Sequence, residues 1–418
     1  MSFQDAQRIN VSRRDFLSAG STTLASLALA TVPAAAQQSP ATKPESNHPS
    51  SDPGPENRPV LALNPNTNAP PATDHGDIGP VWYSFDLARK RVEEGGWTHQ
   101  VTQRELPSST QLAGVNMRLT AGSFRELHWH TADEWAYMEY GSARVSVMNP
   151  DGTMFLDDVN EGDLWFFPAG YPHSIQGLGP DGCQFLLVFS EGLFSEDNTF
   201  LLSEFVAHVP PEVLQKNTRL ASSDITKLPR KQLYMFSANL PGSLAADRAA
   251  IGGPKVAAQQ QYTFKTGSMP PTIKNAGGEI RIIDSTNFAV STSIASGIVR
   301  LKPGAMRELH WHPNASEWQF WLKGSGRMTI VMTDGKARTM DFNANDVGFV
   351  PQVAGHYIEN TGNTDVLFLE MFKAPRVIDF SLNNWISRMP PEMAMAHLKI
   401  NEAALKKIPS EKQIIIAG

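Results

Sequence analysis

Two stretches of this 418-residue chain carry residue types that could hold a metal ion. The first, Gly122 to Gly141 (GSFRELHWHTADEWAYMEYG), has His128 and His130 two apart, then Glu134. Residues two apart on a β-strand point to the same face. Both imidazoles can therefore aim into one cavity while Trp129 faces the other way. A turn can bring Glu134 round as a third ligand, and His173, in GDLWFFPAGYPHSIQG, is a fourth candidate. The second stretch, Gly304 to Gly324 (GAMRELHWHPNASEWQFWLKG), repeats the pattern with His310, His312 and Glu317, and His356 follows in NDVGFVPQVAGHYIEN. The copies are offset by 182 residues at the His pair (128 to 310) and by 183 at the Glu (134 to 317) and the last His (173 to 356). One residue inserted between HWH and Glu accounts for the difference. A lone H-x-H triplet is weak evidence; two copies at matching offsets, holding six of the 11 histidines, mark an internal duplication.

Each set offers three imidazoles, one carboxylate and no thiolate. Mixed nitrogen and oxygen ligands suit Mn(II) or Fe(II), with Zn, Ni and Cu as alternatives. Four protein ligands on a six-coordinate metal leave two positions open, enough for a small dianion or O2, which is a catalytic rather than a structural arrangement.

The elements that must position these residues read as short strands. Val115 to Leu119, Glu134 to Glu139, Ala143 to Met148, Asp163 to Phe167 and Gln184 to Phe189 are apolar or alternating runs separated by turns such as Asn149-Pro150-Asp151-Gly152. Many short strands at this spacing predict an all-β fold of two tandem barrels, not a βαβ fold. Helical excursions are expected at Leu202 to Lys216 and Leu382 to Leu398, where Pro210-Pro211-Glu212 and Pro390-Pro391-Glu392 repeat at 180 residues. Shorter helices are expected at Asp86 to Glu94 and Glu402 to Lys407. Residues 222–263 form a bridge without a clear assignment.

Residues 1–36 read as an export signal. Ser12-Arg13-Arg14-Asp15-Phe16-Leu17 resembles the twin-arginine signature, an apolar Ala-rich run extends from Ala19 to Val32, and Ala34-Ala35-Ala36 offers a cleavage site. The apolar run is too short for a good membrane span. Residues 37–76, rich in Pro, Ser, Asn and Thr, read as a disordered or extended linker, followed by barrel domains over 77–230 and 231–418. The expected location is periplasmic or secreted, with no membrane segment in the mature form. A net charge of −6 argues against a nucleic-acid partner, and the single Cys183 excludes an intrachain disulfide.

The pattern G-x5-H-x-H-x3/4-E-x6-G followed by G-x5-P-x-G-x2-H resembles the two-part cupin signature, which implies jelly-roll β-barrels. The first half matches at Gly122, His128, His130, Glu134, Gly141, Gly162, Pro168, Gly170 and His173; in the second half Asn345 stands where the leading Gly is expected. Beyond that signature, RELPSSTQLAGVNMRL, RELHWH twice, FSEDNTF, GHYIEN and LFLEMF resemble the bicupin oxalate decarboxylases over most of residues 80–400. The resemblance implies two Mn(II) ions per chain, with Fe(II) as second choice, and O2 as redox co-catalyst in converting oxalate to formate and CO2. It also implies trimer-based homo-oligomers, either trimer or hexamer. Arg125 and Arg307, each three residues before the first His of its set, would pair with a carboxylate of oxalate. Ser195 to Thr199 resembles the family's lid, whose glutamate, Glu196 here, would take and return the proton. Glu370 matches a family glutamate near the second metal. Two other readings share these residues: an oxalate oxidase releasing CO2 and H2O2, disfavoured by the presence of Glu196, and a non-enzymatic bicupin binding or storage protein, disfavoured by two intact ligand sets.

Overall fold

The computed structural model describes residues 55–257 and 260–418, so the expected export signal and the first part of the linker lie outside the described residues. The two barrels lie within one compact unit. Each is built from two antiparallel sheets, and the two halves repeat one another strand for strand. The larger sheet of the first barrel runs Thr263–Phe264, Leu164–Phe167, Glu134–Met148, Cys183–Phe189, Ala113–Leu119, Gly96–Val101, Lys90–Glu93; that of the second runs Trp82–Ser84, Asp346–Val350, Glu317–Lys323, Val366–Phe372, Ala295–Leu301, Gly278–Ile283, Ile273–Asn275. The smaller sheets correspond in the same way, with His173–Gly177 beside Phe124–Trp129 in the first and Gly355–Glu359 beside Met306–Trp311 in the second. The all-β, two-barrel expectation is what the structure has.

Strand alternation sorts the aromatic side chains. Ala136, Trp165, Phe167 and Phe185 fill the interior of the first barrel. Trp135 and Phe166, one residue out of phase, pack with Trp318, Phe320 and Phe349 in a cluster that joins the two barrels. Asn345, in place of glycine, holds the left-handed backbone (φ 74°) that Gly162 (φ 86°) holds in the first barrel, a conformation asparagine tolerates.

Three expectations are corrected. Lys90–Glu93 is a strand, preceded only by a 3-10 turn at Phe85–Leu87, so Asp86 to Glu94 is not a helix; Arg91 pairs with Thr98 across the following hairpin. Residues 57–76 are not an extended linker. Arg58–Leu63 is a helix, Asp74 accepts hydrogen bonds from the Thr339 amide and hydroxyl, and His75 bridges Ala337, so this segment lies along an edge strand of the second barrel. The domain boundary also does not follow the chain. Trp82–Ser84 pairs with the second barrel at Asp346 to Gly348, while Met235–Phe236 and Thr263–Phe264 pair with the first. Each barrel thus receives the strand that precedes its partner in sequence. The expected helices after each barrel are present as Leu202–Ala207 with Pro211–Thr218, and Leu382–Arg388 with Pro391–Leu398.

Candidate metal centres

Strand Phe124–Trp129 carries His128 inward and Leu127 out to solvent. Strict alternation would turn Arg125, an odd three residues away, to the opposite face. A register shift between Arg125 and His128 removes that conflict, and an equal shift separates Arg307 from His310. Both arginines are consequently buried on the same side as the histidines. His130 sits just beyond the strand, Glu134 opens the next strand, and His173 opens a third, opposite His128.

The structure brings His128, His130, Glu134 and His173 together, with ligand atoms within 4.8 Å of one another, and does the same for His310, His312, Glu317 and His356. All eight are buried. Backbone carbonyls orient the rings: the Nδ1 atoms of His128, His130 and His173 lie 2.5, 2.7 and 2.7 Å from the carbonyl oxygens of Glu126, Ala132 and Tyr171. In the second centre the corresponding acceptors are Glu308, Ile378 and Ala354, at 2.6, 2.9 and 3.1 Å. Each Nδ1–H is spent on a carbonyl, which leaves Nε2 as the unprotonated, metal-facing atom.

The centres fit a divalent ion. The Nε2 atoms of His173 and His310 are buried without a hydrogen-bond partner, a cost a metal ion would remove. Burial foremost, with the neighbouring arginine next, holds His128 and His310 well below the usual imidazole range, in the neutral form that ligation needs. Burial alone would raise Glu134 and Glu317, but their histidine neighbours outweigh it and keep both carboxylates ionised.

The outer support differs. Glu134 Oε1 accepts from the Trp165 indole N–H at 3.0 Å, whereas Glu317 Oε1 accepts from the Gln319 amide at 2.6 Å. Trp165 faces Ala136 across the strands, and Gly348 faces Gln319 at the matching pair. Large and small have exchanged strands while the donor to the carboxylate is kept. Trp165 walls the first site, and the Phe167 ring lies 4.6 Å from that of His173, centre to centre. Trp135 and Phe166 face away into the inter-barrel cluster, and Phe189 and Phe194, stacked beside His130, complete the wall.

Glu196 begins a single 3-10 turn, Glu196–Asn198, capped by Ser195. It is buried; its carboxylate accepts from the Thr98 hydroxyl at 3.0 Å and from the Tyr234 hydroxyl. Burial raises its affinity for a proton, partly offset by Tyr234 and Arg125. Arg125 donates to the Tyr234 carbonyl at 3.3 Å and stacks on its ring, 4.1 Å from the centroid. Tyr234 therefore links the arginine to the Glu196 carboxylate. It lies in the 222–263 bridge, where no sequence pattern points to it.

Arg307 is held differently. Its Nη2 donates to Asp379 at 2.6 Å and its Nε lies 3.4 Å from Glu370. Asp379 is pulled down to about 2, because the arginine and Lys412 outweigh its burial. Burial foremost lifts Glu370 to about 7, despite Arg307 beside it.

The glutamate of each RELHWH has a structural task. Glu126 accepts from the amides of Ser203, Leu233 and Tyr234, and Glu308 accepts from Ser381 and the Ile414 amide. Each ties its helical appendage to the metal-bearing strand.

Two barrels of matching topology, each centred on three imidazoles and a carboxylate, define a bicupin. The cupin family profile matches residues 84–226 and again 264–406, and the chain belongs to the cupin family. Within that family it is 47% identical over 353 residues to the oxalate decarboxylase OxdC of Bacillus subtilis (strain 168), covering 84% of this chain and 91% of the relative. It is 38% identical to a probable oxalate decarboxylase of Arthroderma benhamiae, covering 84% and 87%. A solved structure of Bacillus subtilis oxalate decarboxylase at pH 4.6 superposes with a TM-score of 0.84 at 46% identity, over 87% of this chain and 94% of that one.

Proposed function

We propose that this protein is an oxalate decarboxylase that converts oxalate to formate and CO2, with the first barrel as the reacting site. The observation that carries the reading is the combination, on one centre alone among the described residues, of a buried arginine that makes no carboxylate salt bridge with them and a buried carboxyl group beside it: Arg125 and Glu196, joined through Tyr234. The 47% identity to OxdC supports the same substrate.

His128, His130, Glu134 and His173 would hold Mn(II), and His310, His312, Glu317 and His356 a second ion, with Fe(II) as second choice. Bound Mn(II) with O2 would supply the one-electron chemistry that loosens the C–C bond. The protein's own groups do the rest. Arg125 donates to a carboxylate oxygen of the oxalate monoanion and orients it. Glu196 takes the remaining carboxylic proton as the C–C bond breaks and CO2 leaves, then returns a proton to the carbon of the formate. Monoanionic oxalate in, formate and CO2 out: the step balances without net oxidation. Trp165, Phe167, Phe189 and Phe194 keep water from the site and so strengthen the arginine–carboxylate contact.

Export by the twin-arginine route to the periplasm or beyond belongs to the same reading, on the motif at Ser12 to Leu17. Among the described residues no helix is long and apolar enough to cross a membrane. Self-association as a trimer or hexamer is supported by a duplicated exposed apolar face: Leu127, Phe200 and Phe205 on the first barrel, Leu309, Phe380 and Trp385 on the second.

The test is oxalate turnover by Mn-loaded protein at mildly acid pH under air, with formate and H2O2 assayed together. Formate in large excess is expected. Excess peroxide would point to an oxidase, and neither product with metal bound would remove the oxalate reading.

A further inference from the structure

We propose that Arg91 is a positioning residue for the lid, holding Tyr234 and Asp197 at once so that Glu196 is presented to the site; the proposal rests on the decarboxylase reading above. Arg91 stands on strand Lys90–Glu93, 106 residues from Asp197 in sequence.

Three contacts meet on its side chain. The guanidinium carbon lies 3.5 Å from the centre of the Tyr234 ring. Nη1 donates to Asp197 of the lid at 3.3 Å, and Nε donates to Glu93 at 2.7 Å, which fixes the plane of the guanidinium. Arg125 lies 4.1 Å from the same ring centre. Both guanidinium groups thus contact the Tyr234 ring. The hydroxyl of that ring donates to Glu196. Arg91 therefore acts on the carboxyl group twice: through the phenol that bonds it, and through the aspartate that follows it in the chain. Together with Thr98, Gln100 and Asp197 it lines a cavity of about 500 Å³ on which Glu196 borders.

The internal duplication supplies a second, independent observation. Arg91 pairs with Thr98 across its hairpin, and at the matching pair of the second barrel Ile273 faces Ile280. Tyr234 precedes the strand Met235–Phe236 as Ile414 precedes Ile415–Ile416, both with positive φ. The barrel whose arginine is locked in salt bridges thus carries isoleucine at all three places where the first barrel carries Arg91, Thr98 and Tyr234. These side chains are polar only where there is a lid carboxyl to serve.

An arginine suits the task better than a lysine, because stacking and forked donation both need the planar group. The pair with Asp197 is solvent-exposed on the aspartate side, so its share is small.

The experiment compares Arg91→Ile, Arg91→Lys, Asp197→Asn and the double variant Arg91→Ile/Asp197→Asn, each Mn-loaded with both ions counted. The readouts are the formate-to-peroxide ratio, kcat and KM for oxalate, and amide hydrogen exchange of residues 194–199. For Arg91→Ile the expected result is a ratio at least tenfold lower, a KM changed less than threefold, and several-fold faster exchange in the lid. Arg91→Lys should recover only part of each. Asp197→Asn should shift both readouts two- to fivefold in the same direction and add nothing to Arg91→Ile. An unchanged ratio with unchanged exchange in Arg91→Ile overturns the proposal, and additive effects of the two substitutions overturn the shared clasp. Should Arg91→Ile lose metal or melt early, Arg91→Lys and Asp197→Asn carry the test on the same two readouts. If the parent protein makes no formate, the decarboxylase reading fails on that result, and lid exchange alone then judges the role of Arg91.

Discussion

At the mouth of the first barrel, Thr98 and Tyr234 hold Glu196, and Arg125 has no carboxylate salt bridge among the described residues. At the mouth of the second, Ile280 and Ile414 pack into the barrel's apolar core, and Arg307 is clamped between Glu370 and Asp379. The positions matching Glu370 and Asp379 in the first barrel are Leu187 and Thr199: Leu187 faces Ala136 as Glu370 faces Gln319, and Thr199 precedes Phe200 as Asp379 precedes Phe380. The ligand sets are matched residue for residue, yet the surroundings differ: polar Thr98 and Tyr234 stand where the second barrel has isoleucine, and uncharged Leu187 and Thr199 stand where it has Glu370 and Asp379. The difference teaches that a metal centre and a reactive centre are separable. The duplication has kept the first twice, and the groups proposed to handle substrate and proton once.

The sharpest way to break this comparison is to remove one metal at a time. His128→Ala should leave one ion per chain and lower formate production by at least about 10³-fold, through loss of the centre at which the reaction is placed. His310→Ala should also leave one ion per chain while retaining a substantial fraction of turnover. Metal analysis alongside kcat decides; equal losses from both would mean that the second centre takes part in the chemistry.

The two arginines should separate stability from activity. Arg125→Ala removes the proposed substrate contact and should cost on the order of 10²-fold in kcat/KM, with only a modest fall in Tm. Arg307→Ala leaves Glu370 buried without its cation and Asp379 paired with Lys412 alone, at a cost of about 3–5 kcal/mol in folding stability. Thermal melts and kinetics of the two variants should therefore rank in opposite orders.

The eight ligands are legible in the sequence because metal ligation demands particular residue types at particular spacings, and the duplication prints the pattern twice. The two-barrel fold follows for the same reason, from strand length and turn residues repeated at a constant offset. What stays hidden is whatever depends on chain segments meeting from afar. Tyr234 reaches Glu196 across 38 residues, and Thr98 reaches it across 98; neither lies in a motif. The clamp on Arg307 is hidden likewise, since Asp379 is 72 residues away. The exchange of strands Trp82–Ser84 and Thr263–Phe264 between barrels leaves no local signature, as a strand's apolar pattern does not name its partner. Asp86 to Glu94 misleads because its charged, helix-favouring composition is overridden by pairing in the hairpin.

Support of the ligating carboxylates offers a finer comparison. Trp165→Phe removes the donor to Glu134 while keeping most of the ring volume, and should weaken metal binding at the first centre by about 10- to 100-fold. Gln319→Leu should do the same at the second centre only. Sequential metal release, followed as two steps in a chelator titration, reads out both; a shift in the wrong step would undo the assignment.

The smallest effect concerns the face on which the barrels differ again, away from the metals. Glu139 accepts from the Asn116 and Gln184 amides, and burial lifts its carboxyl to about 8, where the second barrel has the apolar Leu322. The folded protein thus binds this proton more tightly than the unfolded chain, whose carboxyl titrates near its ordinary value of 4.5. The stability that the protonated group contributes is complete below about pH 4.5 and is lost as the pH rises through about 8. Glu139→Gln mimics the protonated form and removes the titration. The variant should match the parent at pH 4 and exceed it at pH 8; because Glu139 is only partly buried, solvent screening cuts the gain to on the order of 1 kcal/mol, roughly 2 °C in Tm for a chain of this size. A difference that is constant across that range would show that Glu139 is ionised throughout, held by its amide donors in spite of its burial.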